Sequence, residues 1–123
     1  MTTARDRTLG RILKIRRLDL ERLQGRMGEA DARARAAVVA RAAISAQADE
    51  LPRPGACTSP PLLFARLDAL AADGERLAAE ADEAAADRVL AEGEARLVRA
   101  ECEGLETFLE RQSELRRRSS RWR

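Results

Sequence analysis

The side chains that could do chemistry are few, and histidine is missing altogether from the 123 residues. Without an imidazole there is no ready general base near neutral pH and no nitrogen ligand for a metal. The two cysteines, Cys57 and Cys102, lack metal-ligand spacing, so a zinc site would have to be completed by carboxylates alone. No glycine-rich phosphate loop and no GxSxG turn is present. Carboxylates do cluster in EADEAAAD (80–87), but at helical spacing beside arginines. That pattern is a solvated face held by i,i+4 pairs rather than an acid–base couple. The chain is therefore expected to be no enzyme and to carry no cofactor and no metal.

Charge placement is more informative than charge total. The formal net charge is +2, yet residues 1–18 carry Arg5, Arg7, Arg11, Lys14, Arg16 and Arg17 against Asp6, a net of +5. Residues 111–123 carry six arginines against Glu114, again +5, which leaves −8 for residues 19–110. Arginines near a helix C-terminus complement its dipole, but the same charge at an N-terminus is mildly unfavourable, so the first cluster has no structural excuse. Nucleic-acid binding is disfavoured, because stacking aromatics are absent apart from Trp122 and no recognition motif is visible. Membrane adhesion is disfavoured on the ground that no helix face shows the bulky apolar stripe that interfacial insertion requires. Docking on an acidic protein surface is the reading that remains, with the basic groups steering and orienting the contact.

Such groups need elements to position them, and composition says which. Alanine, glutamate, arginine and leucine dominate, and aromatics make up 2%. This is the profile of long helices burying a narrow seam. All four prolines fall in LPRPGACTSPP (51–61), a proline-rich tip that breaks the chain into two parts. Pro52 ends a first helix over 4–50, opened by a weak capping box at Thr3–Asp6. Ser59 caps a second helix that begins with Pro60 and runs over 60–118, with residues 119–123 expected to fray. Heptad spacing holds through both. The series 9, 13, 16, 20, 23, 27, 30, 34, 37, 41, 44, 48, 51 is apolar except at Arg16 and Arg41. The series 63, 67, 70, 74, 77, 81, 84, 91, 95, 98, 102, 105, 109 is apolar or small once Arg88 is skipped. The fold predicted is all-α: two long helices in an antiparallel coiled-coil hairpin, one domain over 1–123.

Folding back at about residue 57 would set Arg41 near Asp73 and Gly104 opposite Gly10. It would place Cys57 at the tip, too far from Cys102 for a disulfide, and make Cys102 a small buried hydrophobe in the seam. Six helical glycines, each costing about 1 kcal/mol relative to alanine, predict marginal stability and a partner. The hairpin would also bring the two basic clusters together. The stretch MTTARDRTLG lacks the apolar core of a signal peptide, and the longest apolar run, AAVVA, is far below the roughly 20 residues of a membrane span. A soluble protein of the reducing cytosol is expected.

The opening RTLGRILKIRRLDLERLQGRMGEADARARAA, with its L-x-x-x-L-R-x-L-like run, resembles the start of the FliJ and YscO-like stalk proteins of flagellar and type III secretion export ATPases. The closing ECEGLETFLERQSELRRR looks like their arginine-rich C-terminal helix. What the resemblance implies is a central-stalk role. The hairpin would sit in the pore of the hexameric export ATPase and couple it to the export gate, at the inner-membrane secretion apparatus, with export chaperones as further partners. The residues that would enter the ring are Arg5, Arg7, Arg11, Lys14, Arg16, Arg17, Arg116, Arg117, Arg118, Arg121 and Trp122. The competing expectation is a structural coiled-coil adaptor, secretion chaperone or ATPase regulator.

Overall fold

A computed structural model describes residues 3–56 and 58–121. Among the described residues the regular structure is helical: α1 (Ala4–Glu50), a single 3₁₀ turn (Pro54–Ala56) and α2 (Pro60–Arg121). The two long helices pack against each other as an all-α hairpin. Their starts follow the local chemistry. Thr3 Oγ1 accepts the Asp6 N–H at 3.1 Å, which satisfies one of the donors a helix start leaves open, and the Thr3 carbonyl accepts the first helical bond from Arg7 N–H at 3.1 Å. Pro60 fills the first position of α2, and the Ser59 carbonyl receives the Leu63 N–H at 3.1 Å. α2 does not stop at Arg118. It continues through Ser119 and Ser120 to Arg121, held by bonds from Arg118 to Glu114 (3.0 Å) and Arg117 to Ser113 (3.4 Å) one turn back. Trp122 and Cys57 lie outside the described residues.

The chain divides into two units, Met1–Met27 with Leu90–Arg123, and Gly28–Val89. The first is built on Leu13 and Leu23 of α1 packed with Ala95, Val98 and Cys102 of α2. Leu20, Met27, Leu105 and Leu109 surround that cluster. The Cys102 thiol is free and buried there, as a small apolar side chain among leucines. The second unit buries the small side chains Ala30 and Ala37 of α1, and Leu63, Leu70, Leu77 and Ala84 of α2. Heptad positions are buried or half-buried in both units with one exception. Arg41 is exposed and Ala40 turns inward in its place.

The register differs from the one expected. Folding about residue 57 would face Arg26 to position 88 and Arg33 to position 81. Their ion pairs are instead with Glu94 (3.7 Å) and Asp87 (2.7 Å), each six positions further along α2. The connection from Glu50 to Pro60 includes its own 3₁₀ turn, so its midpoint does not mark the fold point. Asp73 consequently pairs with Arg76 of its own helix at 3.5 Å and not with Arg41. Gly104 lies exposed and does not face Gly10.

The helical glycines have no packing reason within the chain. A Cβ added at any of them meets nothing within 4 Å, and none has a positive φ. Gly25, Gly93 and Gly104 are also exposed. Replacing these three together with alanine should raise the unfolding free energy by about 2 kcal/mol, seen as a higher urea midpoint with unchanged slope.

Candidate functional site

The first unit carries every described basic residue that the sequence singled out, and it sorts them by partner. Asp6 comes one heptad before Leu13, and Arg116 one heptad after Leu109, so the repeat that buries the leucines also turns these two charges inward. Asp6 is 7% exposed, and its Oδ2 meets the Arg116 guanidinium. The reciprocal half of the capping box is therefore not made, since the carboxylate that would close it is engaged across the seam.

Three further pairs follow the coiled-coil frame. Arg17 and Glu106 occupy corresponding flanking positions on the two helices and bond at 2.8 Å. Arg26 and Glu94 do the same at 3.7 Å. Like flanking positions meet across the seam only when helices run antiparallel, so these charges select the hairpin direction. Arg16 bridges two carboxylates, Glu101 at 2.8 Å and Asp19 at 3.4 Å, which would otherwise repel. In the second unit Arg33 bonds Asp87 at 2.7 Å, and Arg88 meets Asp31 at 2.8 Å. The hydrogen bond to Asp87 holds the Arg33 guanidinium above its ordinary pKa, with the charges of Asp87, Glu83 and Glu29 adding to it.

The remaining basic groups of the first unit are differently placed. Arg5 lies over the Phe108 ring, 5.6 Å from its centroid, a cation–π contact that holds the start of α1 to α2. Arg118 pairs with Glu114 within its helix, and Arg117 reaches the Ser113 hydroxyl. Arg7, Arg11, Lys14 and Arg121 are exposed and form no ion pair among the described residues. So the structure brings ten of the eleven expected residues into one unit, but Arg16, Arg17, Arg116 and Arg118 already hold carboxylates. Sequence reasoning missed Asp6, Glu101 and Glu106 as the groups that neutralise them. Continuing the heptad frame one repeat outward would have found Asp6, and comparing flanking positions on the two helices would have found Glu106; Glu101 faces Arg16 of the seam itself and follows from neither.

No helix among the described residues is long and apolar enough to cross a membrane. No family model, no curated protein and no solved structure matches the chain. What defines the site is therefore its own geometry: cations without an ion pair among the described residues, beside a two-helix seam crossed by Arg116–Asp6, Arg16–Glu101 and Arg17–Glu106.

Because Asp6 is buried and Arg116 closes over it, removing the arginine strands a carboxylate in the seam. Arg116→Ala should cost about 2 kcal/mol, less than a fully buried pair because the arginine side chain is 35% exposed. Asp6→Asn with Arg116→Met should recover most of the loss, whereas Arg117→Ala should leave the urea midpoint within error.

Proposed function

We propose that the chain is a non-enzymatic central-stalk component of a flagellar or type III protein export ATPase complex, coupling the ATPase ring to the export gate. The observation that carries the reading is a group of exposed cations toward the chain ends in the first unit, Arg7, Arg11, Lys14, Arg117 and Arg121, beyond the similarly exposed Arg99 and Arg111. Arg117 touches a neutral hydroxyl, and the others form no ion pair among the described residues. A basic end attracted into an acidic ring is drawn from all sides and need not lock to one subunit. That suits a contact which must turn or bridge mismatched symmetries. The likeness of the opening and closing segments to FliJ and YscO-like stalks supports the same reading. It adds the hexameric export ATPase as partner, with the export gate and export chaperones beyond it, and a place in the cytoplasm at the inner-membrane secretion apparatus.

A structural coiled-coil adaptor or ATPase regulator is the second reading, and one observation favours it. Leu90 and Leu97 stand one heptad apart on the outward side of α2, 62% and 69% exposed, where a further helix could pack. The two readings separate on one pair of substitutions. Arg117→Glu with Arg121→Glu should weaken association with the export ATPase of the same cell at least about tenfold and abolish its stimulation, as loss of several charge contacts requires. Unchanged binding and stimulation would rule out the stalk reading and leave the adaptor.

A further inference from the structure

The seam fixes which side of α1 faces away from α2, and the residues on that side between Arg7 and Leu18 form a second, unpartnered face. Ile15 is 58% exposed, Leu18 50% and Ile12 41%. They follow one another at three-residue steps, so they form a short apolar row winding over successive turns. Arg7, Arg11 and Lys14 flank that row, all exposed. In a chain where 36% of residues are charged with the signs nearly balanced, residues 7–18 contain no carboxylate at all. Of the acids that bound the stretch, Glu21 is exposed and the other two are withdrawn. Asp6 is turned into the seam on Arg116, and Asp19 is held by Arg16 at 3.4 Å and Arg22 at 4.0 Å. Glu101 and Glu106 are engaged from α2 by Arg16 and Arg17. The expectation that no helix face carries a bulky apolar row therefore fails for this segment: the leucines that fill the heptad seam hide a separate row of isoleucines and leucine on the opposite side.

We propose that this outward face of α1, Arg7 to Leu18, adsorbs to an anionic lipid surface, with Ile12, Ile15 and Leu18 entering the headgroup boundary and Arg7, Arg11 and Lys14 contacting the phosphates. Charge complementarity requires an anionic occupant, and the length of the row decides which kind. A coiled-coil partner needs an apolar repeat sustained over several heptads. Here the three-residue line beyond Leu18 reads Glu21 and Gln24, both exposed, and the row ends. A fluid interface asks for less: a few bulky apolar groups ringed by cations on a helix already formed, with each basic group adding to attraction by an anionic leaflet. The binding so built is weak, reversible and sensitive to salt.

The test is flotation of the whole chain with vesicles of phosphatidylcholine containing one-third phosphatidylglycerol, and with pure phosphatidylcholine vesicles. The chain should float with the anionic vesicles at low salt, lose binding in half-molar salt, and ignore the neutral ones. Ile15→Ser with Leu18→Ser, and separately Arg7→Gln with Arg11→Gln and Lys14→Gln, should each lower the bound fraction at least about tenfold. Both sets lie outside the seam, so far-ultraviolet circular dichroism should be unchanged. Leu90→Ser with Leu97→Ser, on the other helix, should bind like the parent. No flotation of the parent chain at low salt would overturn the proposal, as would binding that survives Ile15→Ser with Leu18→Ser. Loss of ATPase association by that same double variant, with the parent ignoring vesicles, would assign the face to a protein and equally overturn it. Vesicle binding uses the chain alone, so its failure is separate from failure of the stalk reading.

Discussion

Antiparallel pairing across a narrow seam is the constraint on which everything else in this protein rests. In the second unit α1 contributes Ala30 and Ala37 to the buried layer, side chains that remove little apolar surface from water. A seam of that kind specifies neither direction nor register by shape. The flanking charges supply what the alanines do not. Arg17 with Glu106, Arg26 with Glu94 and Arg33 with Asp87 pair like position with like position, a match available only to antiparallel helices. Each of these groups is 40% exposed or more, so each pair adds little to stability. Their effect is on direction, since like flanking positions face each other only when the helices run antiparallel.

Asp6 and Arg116 show the same logic with higher stakes. A carboxylate that is 7% exposed is tolerable only with a cation against it. The pair therefore favours one register at the end of the seam, because any slip leaves the charge without its partner. It also changes what the basic end can offer. Arg116 belongs by sequence to a run of three arginines, Arg116, Arg117 and Arg118, that looks uniform. In the fold the first is turned inward on Asp6, the third lies on Glu114, and the second reaches a serine hydroxyl. A cluster counted by formal charge overstates the charge that a partner meets.

Most of the architecture was legible in the sequence, for physical reasons particular to coiled coils. Heptad spacing reports burial directly, and four prolines within eleven residues leave one place for the chain to turn. The helix starts at Ala4 and Pro60 follow from Thr3 and Ser59. Register was not legible from the break, because the connecting segment carries its own turn and the two helices are unequal, 47 and 62 residues. The end of α2 was misjudged because Ser119 and Ser120 are weak helix formers taken alone. The arginines one turn before them bond backward and complement the helix dipole. The outward face of α1 escaped notice for a different reason. Leu9, Leu13, Leu20 and Leu23 satisfy the repeat so well that the intervening Ile12, Ile15 and Leu18 read as local composition rather than as a face of their own.

That second face explains how a nearly neutral chain can still present a strongly signed surface. Through residues 16–33 each seam-flanking arginine that finds a carboxylate across the gap cancels itself. What a partner senses is the remainder, and the remainder is not spread evenly. The carboxylates that match α1 at its start stand on α2, drawn to the seam by Arg16 and Arg17, which leaves the outward side of α1 over residues 7–18 with cations and no carboxylate. Zipping the hairpin thus sharpens the signed face: with the seam open, Asp6 would no longer be held by Arg116 and would lie free beside Arg7. Any function of the basic end is in this way coupled to the integrity of the seam, and a change that loosens the pairing near Asp6 weakens the surface without touching a residue on it.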